Sequence, residues 1–181
     1  MPQLKNKFFK PLIAQEQILK RTAEIAMQIN TDYKDQNPLI IGVLNGAYRF
    51  LGELSNHIDI PCEVSFVRLK SYRGMKSGNK VNELLSLPEN INGRKIIVVE
   101  DIVDSGKTLQ YFLPQLKNAG ADSVEICTLL LKPKAFQFDY RIKYTGFEIE
   151  NDFVVGYGLD YDGAGRCWND ICKLESNPKK V

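Results

Sequence analysis

The sequence predicts an α/β fold, a central and mostly parallel sheet with helices on both faces. Three observations predict it. Short apolar runs recur without a polar residue inside them, as strands buried on both faces require. Amphipathic segments with a period of about 3.6 residues lie between those runs, so helices alternate with strands. The chain has 181 residues, and at that size folding buries about 70% of the unfolded surface, enough for one domain without a disulfide or metal staple.

The elements follow in order. Ile13 to Ile29 places Ile18, Leu19, Thr22, Ile25, Ala26 and Ile29 on one stripe, an amphipathic helix. Pro38 to Leu44 is an apolar run of the buried-strand kind, broken by Asn45-Gly46. Tyr48 to His57 reads as a helix with Phe50, Leu51 and Leu54 inward, and Glu63 to Leu69 as a strand. Lys70 to Lys80 is polar and carries two glycines, the composition of a long loop. Strands are expected around Val81 to Leu87 and at Ile96 to Val99, with a turn at Asn92-Gly93 between them. A helix from about Thr108 to Ala119 closes at Gly120 and contains Pro114, which removes an amide and costs about 3 kcal/mol inside a helix. Val124 to Leu131 and Phe153 to Tyr157 are the last apolar strands.

Composition excludes several classes. With 44% hydrophobic and 25% charged residues the chain is ordinary for a globular protein, and the net charge is only +2. Lys179-Lys180 is the densest basic run, so the concentrated basic face of a nucleic-acid binder is not expected. Cys62, Cys127, Cys167 and Cys172 form no CxxC pair, and His57 is the only histidine, which argues for reduced packed thiols and against a zinc site. The first residues lack the apolar core of a secretory signal, and no run approaches the roughly 20 apolar residues of a membrane span. A soluble, cytoplasmic protein is expected.

The most informative stretch is Ile97 to Thr108, IVVEDIVDSGKT. It ends as a nucleotide-triphosphate phosphate loop ends, but Asp101 stands where such a loop begins with glycine. A strand–loop–helix unit binds ligands at the carboxyl end of its strand, and the 104–108 backbone can present amides to a phosphate at a helix start. Glu100 and Asp101 would repel that phosphate. They suit a sugar diol or a hard cation such as Mg²⁺. A ribose 5-phosphate unit carries both features.

That segment resembles the phosphoribosyl pyrophosphate signature of type I phosphoribosyltransferases. A second stretch, DFVVGYGLDY at Asp152 to Tyr161, is similar to the purine-site segment of hypoxanthine-guanine phosphoribosyltransferases. VLNGAYRF at 43–50, RLKSY at 68–72, LLLKP around Lys132 and GFEI at 146–149 fall in that family's order, so the resemblance spans about residues 38 to 172. It implies a core at about 35–150 and a small hood from about 1–12 and 153–181. It also implies transfer of a phosphoribosyl group to hypoxanthine and guanine with Mg²⁺, in a homodimer or homotetramer.

The resemblance assigns residues in turn. Glu100 and Asp101 would bind the ribose hydroxyls directly or through Mg²⁺, with Asp160 as a further metal ligand. Asp104 would be general base at the imidazole-ring nitrogen, and Ser105, Gly106, Lys107 and Thr108 would cradle the 5-phosphate. Asn45 and Gly46 would bind pyrophosphate through a loop with a cis Leu44–Asn45 peptide, where many relatives carry Lys or Arg instead of Asn45. Arg166 would neutralise the departing pyrophosphate, and a loop around Ser71 and Tyr72 would close over the site. Phe153 would stack on the purine, Lys132 would donate to its 6-oxo group, and carbonyls near Val154 or Asp160 would accept its N–H groups. A lysine opposite a carbonyl would reject adenine. A xanthine- or guanine-preferring enzyme, an RNA-binding regulator on the same fold and a kinase-like phosphate-loop protein share parts of the pattern. The low charge argues against the second of these, and Asp101 against the third.

Overall fold

In chain order the elements are β1 (Gln3–Leu4), β2 (Lys7–Ile13), α1 (Gln15–Asp32), β3 (Leu39–Leu44), α2 (Tyr48–Ser55), β4 (Glu63–Lys70) and β5 (Asn82–Leu85). They continue with β6 (Lys95–Val103), α3 (Lys107–Asn118), β7 (Ser123–Leu131), β8 (Tyr144–Glu148), β9 (Val154–Val155) and β10 (Ile171–Leu174). The computed structural model describes residues 2–70, 82–85 and 90–175.

The strands form two sheets. The larger has the order β5-β4-β3-β6-β7-β8, parallel throughout except for β5, which pairs antiparallel with β4 at one edge. Alternation along its central strands feeds two cores. Ile40, Ile97, Val99 and Leu129 pack with Ile18, Ile25 and Ile29 of α1 and Phe50, Leu51 and Leu54 of α2. Leu39, Ile41, Ile96, Val98 and Ile126 pack with Leu109, Phe112 and Leu116 of α3 on the other face. Burial on both faces is why these strands read as unbroken apolar runs. Pro114 does lie inside α3, yet both it and Gln110, whose carbonyl its missing amide would have bonded, face solvent, so water can satisfy that carbonyl.

The smaller sheet, β1-β2-β10-β9, is antiparallel. Phe153 to Tyr157 does not join the central sheet. Only Val154–Val155 is strand, and it pairs with β10. The fifth parallel strand is β8 instead, whose Thr145-Gly146 pair breaks the apolar pattern. The expected first helix starts later, at Gln15, because Ile13 ends β2. Pro11 hid that strand. It is tolerated because β1 covers only Lys7 and Phe8, leaving the edge beside Pro11 open. Cys127 and Cys172 are buried and Cys62 is half-buried, but Cys167 is exposed rather than packed, and His57 pairs with Glu53 at 3.1 Å on the surface beside α2.

Candidate active site

Strands β3, β6 and β7 end side by side, and the segments after them carry the site. Strand β6 runs on to Val103, past the expected end at Val99, so both signature carboxylates lie within it. Consecutive strand residues face opposite ways, and the pair divides accordingly. Glu100, 5% exposed, lines a cavity of about 80 Å³ with Asp104, Ser105 and Lys107. Asp101 faces the loop after β3, where a β-carbon on Gly46 would lie 1.6 Å from its Oδ2. Glycine is the only residue that lets the loop approach this carboxylate.

Electrostatics follow from burial. Desolvation pushes Glu100 well above the usual carboxylate range, and the charge of Asp101 adds to it. Asp101 is closely surrounded by protein yet keeps part of its side chain open to the cleft. Burial pushes it up to about 6, against the Ile102 N–H that it accepts and the positive charge of Arg166, while Asp160 pushes the same way as burial.

After Val103 the chain turns to Gly106, which at φ +82° precedes α3 and has no side-chain cap. The first rung of α3 runs from the Gln110 N–H to the Gly106 carbonyl at 2.9 Å. The amides of Lys107, Thr108 and Leu109 therefore precede the helical ladder and can meet an anion. Ser105 is half-buried, and Lys107 and Thr108 are exposed. Asp104 projects from this turn, and its Oδ2 takes Lys132 Nζ at 2.9 Å. The lysine side chain is 10% exposed and the aspartate 54%, so the cation is held from below and the carboxylate reaches outward. Lys132 also donates its backbone N–H to the Val103 carbonyl at 3.0 Å, tying the ends of β6 and β7 together.

Across the cleft the Leu44–Asn45 peptide is cis. The Gly46 carbonyl packs against Gly158, which brings the 156–168 hairpin beside the loop. Within that hairpin Arg166 pairs with Asp160 Oδ1 and donates to the Gly158 carbonyl, while Asp160 Oδ2 accepts the Gly163 N–H at 2.7 Å. Leu44, Asn45, Arg166 and Trp168 line a pocket of about 580 Å³. Phe153, 44% exposed, comes just before β9, and buried Val154 begins that strand of the small sheet. The Phe153 ring meets Tyr161 edge-on at 5.8 Å and Phe9 at 6.5 Å, and Lys7 Nζ lies 4.6 Å from the Tyr161 centroid. Among the described residues no hydrogen bond, ion pair or ring contact joins this cluster to Asp104 and Lys132. Ser71 and Tyr72 lie outside the described residues.

The family model for the phosphoribosyl transferase domain matches residues 12–162. The chain belongs to the phosphoribosyltransferase family. A hypoxanthine-guanine phosphoribosyltransferase of Lactococcus lactis subsp. lactis is 41% identical over 154 residues, 84% of each chain. One from Bacillus subtilis is 40% identical over 159 residues, 87% of this chain and 88% of its own. Among solved structures, a hypoxanthine-guanine phosphoribosyltransferase of Bacillus anthracis superposes with a TM-score of 0.86 at 32% identity, covering 94% of this chain and 99% of that one. A mutant hypoxanthine phosphoribosyltransferase from Trypanosoma cruzi, complexed with the product IMP, gives 0.85 at 31%, covering 97% and 95%. The fold is that of the type I phosphoribosyltransferases.

In this phosphoribosyltransferase Glu100, Asp101 and Asp160 are the residues expected to hold Mg²⁺. Among the described residues no three carboxylate, histidine or cysteine side chains converge where they could hold an ion. Strand alternation turns the Glu100 side chain to the opposite face from Asp101, although the charge of Asp101 still reaches it, while Asp160 acts on Asp101 from the hairpin. Two carboxylates still suit Mg²⁺, which keeps waters and shares substrate phosphate oxygens rather than demanding a protein cage. Sequence reasoning also missed three contributors. Lys7 of the aromatic cluster gave no signal beyond its type, whereas Tyr161 closed the quoted DFVVGYGLDY without being assigned a role. Arg49 did stand inside the quoted VLNGAYRF. Its guanidinium stacks 4.5 Å from the Tyr157 centroid and donates to the Trp168 carbonyl at 2.7 Å, tying α2 to the hairpin that carries Arg166.

Proposed function

We propose that this protein transfers the 5-phosphoribosyl group of phosphoribosyl pyrophosphate to hypoxanthine, and also to guanine, releasing pyrophosphate. It is a purine-salvage enzyme, cytoplasmic, working as a homodimer or homotetramer of single-domain chains, each with a core at about 35–150 and a hood from about 1–12 and 153–181. The observation that carries the reading is the Asp104–Lys132 pair, a proton acceptor and a carbonyl-seeking cation set side by side at the edge of a phosphate-binding turn. Among the described residues no helix is long and apolar enough to cross a membrane.

The chemistry breaks the bond from the anomeric carbon to pyrophosphate and forms a bond from that carbon to a ring nitrogen of the base. The proton on the base passes to Asp104, which stands exposed enough to reach it. Lys132 gives its hydrogen bond to the 6-oxo group, and a 6-amino group there would face an unpaired cation, so adenine is rejected. Phe153 offers its exposed face to the purine ring, with carbonyls near Val154 and Asp160 for the base N–H groups. The turn at Ser105, Gly106, Lys107 and Thr108 holds the 5-phosphate, with Glu100 and Asp101 near the ribose hydroxyls. Arg166 neutralises departing pyrophosphate beside Asn45 and Gly46. Asp101 and Asp160 would hold Mg²⁺, which supplies positive charge to the pyrophosphate oxygens.

The deciding experiment measures pyrophosphate release from phosphoribosyl pyrophosphate and Mg²⁺ with hypoxanthine, guanine, xanthine, adenine and uracil offered separately. Turnover with hypoxanthine or guanine, and none with adenine, is the expected result. Turnover with uracil alone, or with no base, overturns the reading.

A further inference from the structure

The β7–β8 connection grips the phosphate-binding turn at two points. Lys132 holds Asp104 at one end of the turn. At the other, Tyr140 donates its hydroxyl to the Gly106 carbonyl at 2.7 Å. We propose that Tyr140 is a positioning residue for the 5-phosphate, holding the Gly106–Lys107 peptide so that its N–H faces the bound phosphate. The proposal rests on the function given above.

A carbonyl and the N–H of the following residue belong to one trans peptide unit and point in opposite directions. Fixing the Gly106 carbonyl therefore fixes the Lys107 amide. Two donors fix it, the Gln110 N–H at 2.9 Å and the Tyr140 hydroxyl. Without the tyrosine one frayed helical bond would hold the plane at the start of α3, where glycine has the freedom to turn over. A turned peptide would aim a carbonyl at the anion.

The rest of the connection packs against the same glycine and sets the position of the tyrosine ring. A β-carbon on Gly106 would lie 2.7 Å from Phe136, 2.8 Å from Phe138 and 2.8 Å from the Tyr140 hydroxyl, so three aromatic side chains back directly onto this glycine. Phe138 and Tyr140 stack at 5.7 Å and 10°, and Phe136 meets Tyr140 edge-on at 5.1 Å. The tyrosine ring is thus set by its neighbours before any ligand arrives. Burial, with the charge of Glu100, pushes its hydroxyl up to about 12, so it stays a donor through the neutral range.

The test compares the full-length protein with Tyr140→Phe, which keeps the ring and removes the hydroxyl. The expected result is a KM for phosphoribosyl pyrophosphate raised about five- to tenfold, in line with one lost hydrogen bond. The KM for hypoxanthine and kcat stay within about twofold. Calorimetry supplies a readout independent of turnover. IMP should bind about five- to tenfold more weakly to the variant, while inosine, which lacks the phosphate, binds equally to both. Phe136→Leu, which keeps the hydroxyl, should change either quantity less than about twofold. Unchanged IMP affinity in Tyr140→Phe overturns the proposal. So does an equal loss for inosine and IMP, or an equal effect of Phe136→Leu, since each reports general damage to the connection. Wild-type protein that turns over no base sinks the proposed function, while the comparison of IMP with inosine still reports on Tyr140.

Discussion

Asp104 and Asp160 each face a cation of the site, whereas Glu100 and Asp101 form no ion pair among the described residues. The contrast separates two ways of preparing for a substrate. Asp104 and Asp160 are neutralised by Lys132 and Arg166, the cations that the base and pyrophosphate would need. Binding at those points is an exchange of partners, which limits its net energy but leaves no charge stranded. Glu100 and Asp101 are held where ionisation is costly, and that cost falls when donors or a cation arrive. The paired carboxylates favour a stable resting site, and the unpaired ones favour the bound one.

The largest effect should come from breaking a pair. Asp104→Asn keeps the shape of the side chain and removes both the base and the partner of Lys132. We expect kcat with hypoxanthine to fall about 10²- to 10⁴-fold, the range for a lost general base. The KM for phosphoribosyl pyrophosphate should change little, because the phosphate amides are untouched. Steady-state kinetics checks this, and a loss below about fivefold would remove Asp104 from proton transfer.

Asp101→Asn tests the other class. A carboxyl raised to about 6 in the fold, against roughly 3.9 in the unfolded chain, binds its proton more tightly when folded. Folding stability must then fall as pH rises from about 4 to about 6, and stay lower above that. The full shift corresponds to about 3 kcal/mol, reduced to about 1–3 because the side chain keeps some contact with water. In a chelator, wild-type protein should lose melting temperature across that window, and the asparagine variant should lose less and melt several degrees higher at pH 8. Identical pH profiles would mean that Asp101 is ordinarily solvated.

The two classes also differ in how far the sequence revealed them. The carboxylates, the turn at 104–108 and Arg166 could be named because each lies within a few residues of its motif. The two-faced apolar periodicity of β3, β6 and β7 carried the central sheet in the same way. Partnership was not legible. The Asp104–Lys132 and Gly46–Asp101 contacts join residues brought together by parallel pairing, and no local pattern encodes them. Nor did two adjacent acidic letters show that they face apart, because the end of β6 was read at Val99, before both residues. The small sheet was least visible. Its strands are short, one contains Pro11, and their partners come from opposite ends of the chain.

Asn45→Lys would turn an unpaired carboxylate toward the paired kind. Position 45 adjoins Gly46, which packs on Asp101, and it lines the pocket shared with Arg166. A cation there should attract pyrophosphate oxygens and lower the KM for phosphoribosyl pyrophosphate by about two- to fivefold, the scale of one exposed charge contact. Initial-rate measurements at fixed hypoxanthine check it. No change would show that this loop binds through its backbone alone.

The smallest effect comes from a paired carboxylate outside the site, which gives the comparison its reference. Asp32, at the end of α1, accepts the Tyr144 hydroxyl at 2.7 Å and pairs with Lys143 at 3.0 Å. Those two partners, the tyrosine first, hold its carboxyl below the usual range. The sign is opposite to that of Asp101. A depressed carboxylate contributes stability above its unfolded value, and that contribution is lost as pH falls below about 4. Asp32→Asn should therefore cost about 0.2–1 kcal/mol at pH 7, the usual worth of an exposed pair. The difference from wild type should vanish in acid. Melting curves of the Asp32 and Asp101 variants at pH 3, 5 and 7 would separate the two windows. Should both variants respond only between pH 4 and 6, the distinction between paired and unpaired carboxylates would fail as an account of this molecule.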